Sequence, residues 1–284
     1  METKRLDLCR DAQPPLPASP AGTIHYTRPL AERLHVDVRD FSRTNLQFEA
    51  HQVPLSDARH GAEPLSLDRQ GFVLVRHVSA VAASRDMEVL QRDYHAEMTL
   101  LIRELTGARD VLAQRTGLLL RFGERSAEQG VKPARFAHLD YTTASANRFV
   151  ELVTGWERFS PAPYRRFAIF QTWRATSVPP QDNTLALCDG RSVRSDETLE
   201  FDVTIGPEEV PGNTFVARVC RYGAAHRWHY FPNLTSDEVV VFKAFDSVAP
   251  DALNVLHTAV DDPLAPRDAV PRSSVEARFV AFFD

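Results

Sequence analysis

The sequence predicts a mainly β protein with helices (an α+β chain) whose core is a double-stranded β-helix, a jelly roll of cupin-like shape flanked by helices. Three observations predict it. From residue 167 onward, short β-branched and aromatic runs follow one another between turn signals. A long amphipathic helix precedes them. Composition is that of an ordinary globular core, with 43% hydrophobic and 25% charged residues.

The elements are justified in chain order. Residues 11 to 20 carry Pro14, Pro15, Pro17 and Pro20, which predicts an extended arm. Residues 21 to 70 show no sustained period, so residues 1–70 are expected to form an N-terminal arm and an irregular or lid segment. Residues 71–284 then form the jelly roll with its helical elaboration, the whole making one compact domain. Phe72–Arg76, bounded by Gly71, reads as the first strand. In Ser84–Thr106 a stripe of Met87, Leu90, Tyr94, Met98, Leu101 and Leu105 predicts a helix, started by Ser84 and ended by Gly107. Leu118–Phe122 is a further strand, and Thr143–Gly155 a second helix with Phe149, Val150 and Val153 inward. The β series follows: Phe167–Trp173, Thr184–Cys188, Leu199–Val203, Thr214–Tyr222, Glu238–Phe245, Leu253–Val260 and Ser274–Phe283. Pro179-Pro180, Asp189-Gly190, Gly206-Pro207, Pro211-Gly212 and Pro232-Asn233 punctuate it.

Several function classes are excluded as expectations. A formal charge of −5 gives no basic face for nucleic acid. No run reaches the ~18 apolar residues of a membrane span, and Met1–Asp7 lacks the apolar core of a signal peptide. Cys9, Cys188 and Cys220 include no CxxC pair, which fits a reducing, cytoplasmic setting. Gly-rich phosphate loops and a G-x-S-x-G elbow are absent, and no nucleophile accompanies the histidines.

The chemistry sits in Ala137-His138-Leu139-Asp140-Tyr141-Thr142. Residues i and i+2 of a strand share a face, so His138 and Asp140 can grip one metal ion. A second His from a distant strand would complete a two-His-one-carboxylate triad, which holds Fe(II) on one side and leaves positions open. The triplet is not unique here. His35-Val36-Asp37 repeats it in a poorly patterned region, and His95-Ala96-Glu97 lies on a helix, where such residues diverge. His257, on a late strand, supplies the third ligand. Arg272-Ser273-Ser274, opening the last strand, places a guanidinium and a hydroxyl on one side, a fork suited to the distal carboxylate of 2-oxoglutarate. His226 and His229 are rival ligands, but no Arg follows them at a comparable distance.

From Pro133 to Phe283 the chain resembles the CmcJ/AsaB-like, gibberellin-desaturase-related Fe(II)/2-oxoglutarate-dependent oxygenases. The resemblance rests on Ala137–Thr142, Arg166 through Arg174, Leu185–Ser192, Trp228–Pro232, Asp237–Ser247, His257–Ala259 and Pro271–Arg278. It implies an oxidoreductase, a dioxygenase using Fe(II), 2-oxoglutarate and O₂ with His138, Asp140 and His257 as catalytic metal ligands. Arg272 and Ser274 would bind the co-substrate; Arg278, six residues along, is expected far from the iron end. The implied reaction hydroxylates or desaturates a small molecule of secondary metabolite biosynthesis while 2-oxoglutarate becomes succinate. An intact Asp140 argues against halogenation, where halide replaces that ligand. Tyr141 stands where the family has Gln, and Gln171-Thr172-Trp173 where it has Asn-x-Trp, so substrate identity does not transfer. Tyr141, Trp173, Arg174, Trp228 and His229 are candidates to touch substrate, each with a core-packing or ion-pair alternative. Two other readings stand: a cupin-like metal dioxygenase or isomerase without 2-oxoglutarate, and a non-catalytic β-sandwich binding protein.

Overall fold

The computed structural model describes residues 19–61, 63–127, 131–210, 212–250 and 255–284. The proline-rich stretch of 11–18 and Cys9 lie outside them. In chain order the first strands are β1 (Ala21–Thr27), β2 (Leu34–Asp37), β3 (Phe48–Asp57) and β4 (Phe72–Arg76). Helical residues follow as α1 (Met87–Val89), a π turn (Leu90–Tyr94) and α2 (His95–Thr106). Next come β5 (Asp110–Ala113), β6 (Leu119–Phe122), β7 (His138–Leu139) and α3 (Thr143–Trp156). The remainder is β8 (Arg166–Ala175), β9 (Asn183–Cys188), β10 (Thr198–Thr204), β11 (Thr214–Cys220), β12 (Trp228–Tyr230), β13 (Glu238–Asp246), β14 (His257–Asp261) and β15 (Ser273–Phe283).

Nine strands form one sheet in the order β1-β3-β12-β9-β14-β7-β11-β10-β2. The other sheet runs β4-β13-β8-β15-β5, with β6 also pairing β15. Between them lies an apolar core of Phe72, Leu74, Trp173, Leu187, Phe231 and Phe242. Two facing, mainly antiparallel sheets make the jelly roll that the β series predicts.

The six-stranded sheet is buried on its outer face too. Leu90, Tyr94, Met98, Leu101 and Ile102 of the helix pack there on Phe170, Val241, Val275 and Phe279. That cover is why all nine residues of β13 are buried and why its sequence is an apolar run rather than an alternation. The helix differs from its expected form in two ways. A π turn interrupts it, and Asp86 rather than Ser84 caps it, accepting from the Glu88 and Val89 N–H groups. Gly107 ends it as expected, at φ +67°, donating its N–H to the Arg103 carbonyl. The second helix, α3, starts on a capping box between Thr142 and Ser145. Its Phe149, Val150 and Val153 face Phe167, Ile169 and Phe282.

Residues 21–70 hold more order than their sequence pattern suggests. β1 and β3 form an antiparallel ladder, β3 joins β12, and β2 lies parallel to β10 at the sheet edge. Only Ile24, Tyr26, Val53 and Leu55 of the β1–β3 ladder reach the buried cluster beneath it. Two apolar residues per strand are too few to register as a period. Among the described residues no helix is long and apolar enough to cross a membrane.

One buried group on α2 carries a stability prediction. His95 is 4% exposed and its Nε2 has no partner among the described residues. Burial, the dominant cause, pushes its pKa down from 6.5 to about 4. The unfolded chain therefore takes up this proton first as pH falls. Its contribution is present above pH 6.5 and is lost as pH falls toward 4, up to ~3 kcal/mol by linkage. His95→Asn is expected to shrink the drop in urea midpoint between pH 7 and pH 5. An unchanged drop would contradict this placement of the acid sensitivity.

Candidate active site

The site is built across the nine-stranded sheet and faces the other. β14 runs antiparallel to β7 and sets His257 opposite His138, with Leu187 of β9 on its other flank. The two imidazole rings lie 4.3 Å apart. Each Nδ1–H donates to the carbonyl two residues upstream, His138 to Phe136 at 2.8 Å and His257 to Val255 at 3.0 Å. A carbonyl only accepts, so Nδ1 of each ring bears a proton, and in the neutral tautomer this fixes, the lone pair is on Nε2. Asp140, one residue beyond β7, points Oδ1 at both: 3.5 Å from His138 Nε2 and 4.0 Å from His257 Nε2.

The opposite sheet holds the other carboxylate oxygen. Gln171 of β8 and Arg278 of β15 are cross-strand partners. Gln171 Nε2 donates to Asp140 Oδ2 at 2.5 Å, and Arg278 donates to it from Nη2 at 3.2 Å and Nε at 3.4 Å. Arg278 also reaches the Gly117 carbonyl at 3.2 Å.

These partners set the charges. Burial alone would raise the Asp140 carboxyl, but Arg278, the two histidines and the Gln171 hydrogen bond outweigh it and hold it below the usual carboxylate range. Burial, helped by neighbouring His257, pushes His138 down to about 4. At neutral pH His138 is neutral and Asp140 ionised, the state a metal ion requires. The donor set fits one. His138, Asp140 and His257 each offer a ligand atom, all within 4.8 Å of one another. Ligands at ~2.1 Å and near right angles to one another lie ~3 Å apart, so small adjustments close the triad.

A cavity extends from the histidines along β15, lined by Trp173, Leu185, Thr258, Arg272, Glu276 and Arg278 among others. Arg272 is 1% exposed, with its guanidinium 5.4 Å from the Trp173 ring centroid. Its Nε and the Ser274 Oγ are buried without a partner among the described residues. Burial, only partly opposed by Glu276, pushes Arg272 down to about 10, so it remains a cation at neutral pH. Glu276 is occupied by Arg121 at 2.7 Å. The Arg272 Nε–H and, two residues along the same strand face, the Ser274 hydroxyl are donors of the kind a carboxylate takes.

The other residues singled out from the sequence fall as follows. Trp173 lines this cavity. Tyr141 packs against Phe149 beneath α3, 5.1 Å between rings. Arg174 projects from the opposite face of β8, fully buried, and is spent on the His77 and Ser236 carbonyls and on Tyr94. Asp189, in the turn after β9, pairs with Arg191 and Arg227. Trp228 lies in the cluster with Tyr26, whose hydroxyl accepts its Nε1–H at 2.7 Å. His229 sits against Phe72, and His226 binds Glu197. Asp37 of the rival triplet is taken by Arg39 and Arg43. One expectation is corrected. Arg278 is beside the triad, not far from it, because positions 272, 274, 276 and 278 share one face of a strand that runs past the site. Arg121 and Glu276 have no sequence signal of their own; Gln171 is noted from the sequence only as standing at the family's Asn-x-Trp position, not as a partner of Asp140.

Known proteins resemble this chain over most of its length. The chain is 27% identical over 248 residues to the Fe(II)/2-oxoglutarate-dependent dioxygenase nvfI of Aspergillus novofumigatus, covering 85% of this chain and 86% of that one. It is 28% identical over 256 residues to the hydroxylase/desaturase CTB9 of Cercospora beticola, covering 84% and 78%. The solved structure of the iron and alpha-ketoglutarate-dependent endoperoxidase NvfI superposes with a TM-score of 0.78 at 25% identity, over 93% of this chain and 97% of that one. Fold, donor set and relatives define the class, a non-haem Fe(II)/2-oxoglutarate-dependent oxygenase. The family model described as an oxidoreductase/YMDC permease-like domain matches residues 24–282, and the chain belongs to that family.

Proposed function

We propose that His138 Nε2, Asp140 Oδ1 and His257 Nε2 hold the iron, and that Arg272 with Ser274 holds the far carboxylate of 2-oxoglutarate. The observation that carries this is the pairing of a His-Asp-His triad with a buried guanidinium that lines the same cavity as both histidines and whose Nε has no partner among the described residues. When bound, the iron and 2-oxoglutarate supply an oxidant from O₂, giving succinate and CO₂ and oxidising a substrate C–H bond. The chain's residues supply the frame. The backbone carbonyls of Phe136 and Val255 fix both ring orientations. Arg272 recognises charge at the far end of the cavity, and Trp173 forms a wall there, so its role is with the co-substrate.

The substrate class we propose is a small secondary metabolite that is hydroxylated or desaturated, as the names of relatives such as CTB9 suggest. Within its family we place the chain with the CmcJ/AsaB-like members, on the motifs around His138, Trp173 and Arg272. We also propose that residues 19–61 and 63–70 belong to one domain with the rest, supported by the ladders of β1, β2 and β3 with the nine-stranded sheet. A reducing, cytoplasmic setting suits the free, buried thiols of Cys188 and Cys220. The test is turnover. Protein supplied with Fe(II), 2-oxoglutarate and air is expected to form succinate, and excess chelator to stop it. Succinate formation that survives chelation, or its absence with iron present, would contradict the reading.

A further inference from the structure

We propose that Gln171 and Arg278 are positioning residues that bind Asp140 Oδ2 and reserve Oδ1 alone for the metal. The proposal rests on the iron-site reading above and adds a task for two residues outside the triad.

The argument lies in which oxygen each donor chooses. An Arg and a carboxylate left to themselves pair fork to fork, two nitrogens on two oxygens. Other pairs in this protein do so. Arg166 gives Nε to Asp246 Oδ1 and Nη2 to Oδ2. Arg59 gives Nη1 to Glu238 Oε1 and Nη2 to Oε2. Arg278 does not. Both its nitrogens converge on Asp140 Oδ2, where Gln171 also donates. Oδ1 is left facing the two Nε2 atoms.

The backbone enforces this. Gln171 and Arg278 stand directly opposite on β8 and β15, in register and on one face, so their side chains arrive at the same point. The Gly117 carbonyl takes Arg278 Nη1, which fixes the guanidinium's tilt. Asp140 is thus clamped from the opposite sheet while its own backbone runs into the α3 cap. A clamped carboxylate offers one oxygen rather than two, and keeps the far side of the triad clear.

Co(II) titration of the full chain, read by visible absorption, tests this without turnover. Gln171→Ala and Arg278→Met are each expected to weaken Co(II) binding about 10- to 100-fold and to change the band shape. The double variant should lose less than the product of the two, because both donors act on one atom. Gln171→Asn, one methylene short, should fall between wild type and Gln171→Ala. Arg166→Met, which breaks a comparable pair elsewhere, should bind Co(II) as wild type does. Wild-type affinity and spectrum in both Gln171→Ala and Arg278→Met would overturn the clamp. Should Arg278→Met not fold, the two Gln171 variants decide alone. Failure of the iron-site reading looks different: wild type would not bind Co(II), or His138→Ala would still bind it.

Discussion

His257→Ala is expected to lower succinate formation by at least about 100-fold while leaving the fold intact. The ring stands on β14 directly opposite His138, and its Nε2 is one of three donor atoms converging on one point. Removing a ligand should cost no less than removing a second-sphere partner, for which 10–100-fold is usual. The fold should tolerate it because Asp140, the carboxylate facing that Nε2, keeps its bonds to Gln171 and Arg278. Among the described residues the side chain makes one hydrogen bond, to the Val255 carbonyl, and it packs on the Phe242 ring 4.9 Å away. Rates of succinate formation and thermal melts of the two proteins check this together. Wild-type rates in the variant would remove His257 from the site.

Arg272→Met is expected to raise the 2-oxoglutarate concentration for half-maximal turnover about 100-fold, equivalent to ~3 kcal/mol for a desolvated charge-assisted pair. Pyruvate has the keto acid end but no distal carboxylate, so its weak binding should not change. The change should also leave the protein without co-substrate as stable as before or more so. In that state Arg272 is a buried cation whose Nε has no partner among the described residues, a costly arrangement that methionine relieves. Equal weakening of both keto acids would show that Arg272 shapes the cavity rather than reading the far carboxylate.

Much of this site was legible in the sequence, and the reason is the period of a strand. His138 and Asp140, and Arg272 and Ser274, are each two residues apart, and period two alone puts each pair on one face. His257 was legible by order, as a His on a late strand. Gln171 and Arg278 were not, since their meeting depends on the register between β8 and β15, which no local pattern encodes. Faces also misled. Trp173 and Arg174 are neighbours, yet one lines the cavity and the other is buried beneath Tyr94. Trp228 and His229 divide in the same way between two clusters of aromatic contacts. In the fold, β4 and α3 were legible from their apolar patterns. The π turn was not, because Leu90, Tyr94 and Met98 keep four-residue spacing through it.

The central claim is that His138, Asp140 and His257 bind one Fe(II) together with 2-oxoglutarate. Its most direct test is the visible charge-transfer band formed when both are added without oxygen. The expected result is a band that saturates at one iron per chain in the wild type and is absent in His138→Ala and His257→Ala. No band in the wild type, or an undiminished band in either variant, would contradict it.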